Sequence, residues 1–249
     1  MTKSKLFIHG VPDTPAVWAP LKDELKDVSA EIITPALPGF CAPLPSQFSP
    51  TKEGYVDWLI SQVETLHAAN GPIDIVGHDW GALLTLRVAS LRPELIRSWA
   101  VSGGVIHPDY QGHKTAKLWA TPILGELAMA VTSRKALKKV LVEAALPPSI
   151  AKIEVGNWTR TMRRCILSLY RSAKGLSFST DWVSALDNLP KHGLVIWGEH
   201  DPYVAASFAR SFAKGQDVPC HIVGDTGHWM IAERPALAAQ YLRDLWAAS

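Results

Sequence analysis

Three short segments carry residue types that could do chemistry together. Val76-Gly77-His78-Asp79-Trp80-Gly81-Ala82 holds a carboxylate between two glycines. Val195-Ile196-Trp197-Gly198-Glu199-His200-Asp201-Pro202 holds acids after an apolar run, and Gly224-Asp225-Thr226-Gly227-His228-Trp229 holds a histidine. A nucleophile displayed on a tight strand-to-helix turn has strained backbone, so positions two before and two after it must be small. Gly77 and Gly81 meet that requirement around Asp79. The order nucleophile, acid, histidine then suggests a triad of Asp79, Asp201 and His228, with Glu199 and Asp109 as rival acids. His9-Gly10-Val11-Pro12 stands upstream, where a backbone N–H for an oxyanion is expected.

These residues need strand ends to hold them. Short apolar runs rich in β-branched residues predict strands over 6–9, 31–34, 73–77, 97–102, 194–198 and 220–223. Helical spacing predicts helices over 55–66, 82–91 and 235–246, the last with a proline in its first turn. The alternation is that of βα units on a parallel sheet, an α/β fold. It stops between 104 and 185, where only helical pieces punctuated by Pro108, Pro122, Pro147 and Pro148 occur. The expected organisation is a core of 1–103 and 186–249 with a helical lid over 104–185.

Over its whole length the sequence resembles the α/β-hydrolase superfamily, through the His9-Gly10-Val11-Pro12, Gly77-His78-Asp79-Trp80-Gly81, Asp201 and His228 segments. Aspartate at the turn is similar to the epoxide hydrolases and haloalkane dehalogenases rather than the serine esterases. The resemblance implies that Asp79 attacks a saturated carbon to give an alkyl ester of the enzyme. Water activated by His228, oriented by Asp201, then hydrolyses it, with the Val11 and Trp80 backbone N–H groups as oxyanion hole. It implies epoxide hydrolysis first, since Tyr170, in Ser168-Leu169-Tyr170-Arg171, is similar to the acid tyrosine of epoxide hydrolases. The first lid tyrosine of that family has no clear match: Tyr110 lies early and Trp119 stands near its place. Haloalkane or haloacid dehalogenation, with Trp80 and Trp119 as halide donors, is the alternative, and a non-catalytic small-molecule receptor a third reading. Trp80, Trp119, Tyr110 and Trp229 are the expected substrate-binding residues. His9 and His78 are expected to make local hydrogen bonds. No cofactor or metal is implied.

The family's usual two leading strands have no counterpart before residue 6, so six strands are expected, with 31–34 at an open edge. A second subunit in a homodimer, or residues 40–50, would cover that edge. The 249 residues carry 47% apolar and 19% charged side chains and a net charge of +2. That suffices for one large domain and argues against a nucleic-acid partner. The partners expected are a small apolar substrate and water. The apolar start at 6–8 is too short for a signal or a membrane span, and no membrane partner is expected. Cys41, Cys165 and Cys220 are odd in number and widely spaced, as in a reducing, cytoplasmic setting. Ten tryptophans against five tyrosines suggest that some indoles line a site.

Overall fold

A computed structural model describes residues 3–178 and 180–249. Six strands form one sheet: β1 (Lys5–Ile8), β2 (Ile32–Ile33), β3 (Ile73–His78), β4 (Ile96–Ser102), β5 (Gly193–Gly198) and β6 (Cys220–Val223). Their order is β2-β1-β3-β4-β5-β6, and every pairing is parallel. Each predicted strand is present within a residue or two of its expected bounds. The helices are α1 (Ala19–Glu24), α2 (Lys52–Asn70), α3 (Trp80–Leu91), α4 (Lys114–Ala120), α5 (Leu124–Val131), α6 (Arg134–Glu143), α7 (Pro148–Gly156), α8 (Arg160–Ser172), α9 (Thr180–Ser184), α10 (Ala206–Gln216), α11 (Met230–Glu233) and α12 (Pro235–Ala248). This is the α/β-hydrolase fold.

The central strands are buried on both faces, as their continuous apolar runs require. At the start of the sheet, buried Asp74 of β3 accepts from Lys5 of β1 at 2.7 Å and from Ser98 of β4 at 2.6 Å, tying three strands together. Parallel topology sends every carboxyl end to one side, where ligands bind in such sheets. The His9–Pro12, Asp79, Asp201 and His228 segments all follow a strand at that end. Between β4 and β5 the chain forms α4–α9, with no strand among the described residues.

β2 is only two residues long and half-buried, which limits the edge open to pairing. No further strand pairs with it among the described residues. Residues 38–42 close a turn of their own, and Phe40 packs against His9 and Tyr55 at the site end of β1 and α2. No helix is long and apolar enough to cross a membrane among the described residues.

Candidate active site

Asp79 sits between β3 and α3 with φ 52° and ψ −122°, left-handed backbone that a residue with a side chain adopts only when its surroundings impose it. Its N–H donates to the Ser102 carbonyl of β4 at 2.9 Å, and its own carbonyl accepts the Ala82 N–H at 2.9 Å. The flanking glycines are required by contact: a Cβ on Gly77 would meet the Gly81 carbonyl, and one on Gly81 would meet that of Ile8. Gly10 matters for a second reason. A Cβ there would strike the Asp79 carboxylate itself.

The carboxylate faces two different partners. The Val11 N–H donates to Oδ1 at 2.7 Å, while Oδ2 lies 3.5 Å from His228 Nε2. The Trp80 N–H, the other expected oxyanion donor, makes no hydrogen bond to it. On the far side of the ring, His228 Nδ1 and Asp201 Oδ2 are 2.8 Å apart. Asp201 Oδ1 accepts the Tyr203 and Val204 N–H groups at 2.8 and 3.1 Å, so the acid is fixed before it orients anything. The rival acids Glu199 and Asp109 lie at the surface.

Charge follows this geometry. Burial alone would raise the Asp79 pKa, but the hydrogen bond and charge of His228 outweigh it and hold the carboxyl below its usual value. Burial likewise works against the His228 charge, yet Asp201 and then Asp79 push its pKa up to about 10. An imidazolium between two carboxylates results. His9 is a structural neighbour: Nε2 accepts the Leu37 N–H at 3.0 Å, so Nδ1 carries the proton and bonds the Gly10 carbonyl at 2.8 Å. His78 is buried, with neither ring nitrogen hydrogen-bonded to a side chain and Asp13 Oδ2 3.8 Å away.

A cavity of about 290 Å³ opens onto Asp79 and His228. That is the low end for small-molecule sites. Its walls include Val11, Trp119, Tyr170, Tyr203, His113 and Trp229, and among the described residues no lysine or arginine lines it. Two expected binding residues lie elsewhere. The Trp80 ring is fully buried and does not line the cavity, because Tyr170 packs edge-on against it at 5.3 Å and stands at the wall in its place. Tyr110 borders a smaller adjoining pocket, and its hydroxyl donates to the Tyr203 carbonyl at 3.0 Å. Trp229 lines the cavity, but its indole N–H is taken by the Asp13 carboxylate at 3.0–3.1 Å.

Two wall residues escaped the sequence reading. Tyr203 is held by Asp201 through its own N–H, and its ring lies 4.8 Å from that of His228. Its only sequence signal is its place two residues after Asp201. His113 caps α4 by accepting the Ala116 N–H at 3.2 Å, and burial pushes its pKa down to about 4, leaving it neutral. Burial first, and then the Asp79 charge, push the Tyr203 and Tyr170 hydroxyls above their usual pKa. Both hydroxyls stay protonated at neutral pH.

With Asp79, Asp201 and His228 brought together from three strand ends, a model of the alpha/beta hydrolase family matches residues 6–240. The chain belongs to that family. It is a hydrolase. Among curated proteins it is 31% identical over 100 residues to an (E)-2-((N-methylformamido)methylene)succinate hydrolase of Acinetobacter baylyi, a match covering 40% of this chain and 37% of that protein. It is 25% identical over 146 residues to a haloalkane dehalogenase of Mycolicibacterium paratuberculosis, covering 54% and 48%. The matches thus span less than half the length of these curated relatives. The solved haloalkane dehalogenase DbeA of Bradyrhizobium elkani superimposes with a TM-score of 0.78 at 23% identity, covering 100% of this chain and 92% of that one. A thermophilic esterase of Thermogutta terrifontis superimposes at 0.77 and 18% identity, covering 99% and 90%. Neighbours this distant carry the fold, and they include different chemistries.

Proposed function

We propose that this alpha/beta hydrolase opens epoxides of small, uncharged, apolar molecules to diols through an alkyl ester of Asp79. The observation that carries the reading is that two tyrosines whose hydroxyls stay protonated, Tyr170 and Tyr203, line the cavity together with Asp79 and His228. Asp79 Oδ2 attacks a ring carbon and the carbon–oxygen bond opens. The departing oxygen takes a proton from tyrosine. Esterification removes one of the two carboxylates that hold the His228 proton, so the imidazole passes its proton to the tyrosinate and becomes a base. It then takes a proton from water, which attacks Asp79 Cγ while the Val11 N–H holds the oxyanion on Oδ1. Collapse expels the diol and returns the carboxylate. With no lysine or arginine on the wall among the described residues, the cavity favours an uncharged substrate, and α4–α6, which contribute much of the wall, act as a lid over it.

Dehalogenation is the second reading. It is favoured by the Trp80 indole N–H, which is buried without a hydrogen-bond partner beside Tyr170, and by Trp119 on the cavity wall. His228→Gln, incubated with epoxides and chloroalkanes and weighed intact, separates the readings. An adduct with the mass of a whole epoxide supports the first. An adduct lacking the elements of hydrogen chloride supports the second. No adduct, with no wild-type turnover, points to a receptor and overturns both.

A further inference from the structure

The outer face of the helical insertion is unlike the rest of the surface. α5 touches the protein through Gly125 and Met129, which are buried, while Leu124 and Leu127 are 51% and 56% exposed and Val131 is 80% exposed. Ile123, just before it, is 73% exposed and held at a φ of 69°, strained backbone for a β-branched residue. A surface helix normally presents polar residues outward. This one is apolar on both faces.

The patch runs into the cavity mouth. Leu118 of α4 and Val140 of α6 line the cavity and are also 41% and 49% exposed, and Ala128 of α5 lines it from the inner side. Charge singles out the same region. Residues 104–185 carry twelve lysines and arginines against five acids, whereas the remaining 167 residues carry thirteen against eighteen. The one acid of α5, Glu126, is neutralised by Arg171 at 2.7 Å, and Arg163 bonds the Met129 carbonyl at 3.0 Å. Among the described residues Lys117 of α4 and Lys135 and Lys138 of α6 have no carboxylate partner.

We infer that α5 and its basic flanks form a docking face for an anionic lipid surface, with the cavity mouth turned towards it. An exposed apolar helix beside unpaired lysines matches the interfacial region of such a membrane in both hydropathy and charge. A nucleic acid would use the lysines and leave the leucines in water. The expectation of no membrane partner rested on the lack of a spanning segment, which a surface-lying helix does not need. An apolar substrate dissolved in the bilayer would then meet the mouth directly, a step that rests on the function proposed above. The docking itself does not.

The test is co-sedimentation of the full chain with vesicles of phosphatidylcholine alone or with phosphatidylserine. Binding is expected to the mixed vesicles and to fall as salt rises. Lys117→Gln/Lys135→Gln/Lys138→Gln should weaken partitioning on the order of 100-fold, about fivefold for each charge. Leu127→Ser/Val131→Ser, at two exposed positions outside the cavity lining, should abolish it with an unchanged melting temperature. Equal binding to both vesicles, or none to either, overturns the proposal. So does a dimer in light scattering that the serine variant disperses, or RNA binding that it retains. No readout uses turnover, so failure here leaves the Asp79 chemistry untouched.

Discussion

Replacing Asp201 with asparagine separates the two halves of the proposed reaction. Asp201 Oδ1 accepts two backbone N–H groups at 2.8 and 3.1 Å, and Oδ2 faces His228 Nδ1 at 2.8 Å. An asparagine must keep its carbonyl on the two backbone donors, because an NH₂ group there would meet donors with a donor. Its NH₂ group then faces His228 Nδ1, which can only accept, and the imidazole proton moves to Nε2. That is the nitrogen that must take a proton from water. The wrong tautomer costs on the order of 10⁴ in rate in the serine-protease case, about 5 kcal/mol of barrier. The penalty falls on hydrolysis, since a carboxylate nucleophile needs no base. Losing Asp201, the largest of the influences that raise it, also brings the His228 pKa down from about 10. Rapid-quench kinetics should therefore show a burst equal to the enzyme concentration, followed by turnover slowed on the order of 10⁴-fold. Steady-state turnover within tenfold of wild type, or a burst lost along with turnover, would refute the reasoning.

Two further outcomes follow from the same structure. Tyr170→Phe and Tyr203→Phe should each lower kcat/KM for an epoxide by about 10²-fold, the usual share of one general acid, and spare an activated chloroalkane if one is turned over. Glu154 of α7 is 1% exposed, with neither carboxylate oxygen hydrogen-bonded to another side chain, and burial followed by the Asp13 charge pushes its pKa up to about 9. The folded protein therefore binds a proton that the unfolded chain releases near pH 4.5, and stability falls as pH rises from there to about 9. Glu154→Gln does not titrate. Its advantage in thermal melts should be absent at pH 4, grow with pH, and reach on the order of 2 kcal/mol by pH 9, about 4–8 °C in Tm.

Much of this site was legible in the residues because backbone sterics leave few options. Gly77 and Gly81 mark the turn of Asp79 since no Cβ fits against the Gly81 and Ile8 carbonyls. The β-branched runs locate the strand ends from which Asp201 and His228 follow. Side-chain direction was the part that local pattern does not encode. Trp80 follows the nucleophile directly, yet its ring lies under α8 with Tyr170 between it and the cavity. Tyr110 is the early tyrosine of the insertion, but its hydroxyl closes onto the Tyr203 backbone. Tyr203 itself comes from the core, where a search confined to the insertion does not look. Nothing local in the sequence marks Glu154 as buried; it lies on α7, which packs against residues 15–18.

The central claim is that the Asp79 carboxylate, not water, makes the first bond to the substrate. A single turnover in ¹⁸O-labelled water, with enzyme in excess over an epoxide it turns over, tests it directly. The account predicts a first-turnover diol free of label and a two-dalton gain confined to the peptide containing Asp79. Labelled diol with an unlabelled Asp79 peptide would mean that water attacks the substrate itself, and would contradict it.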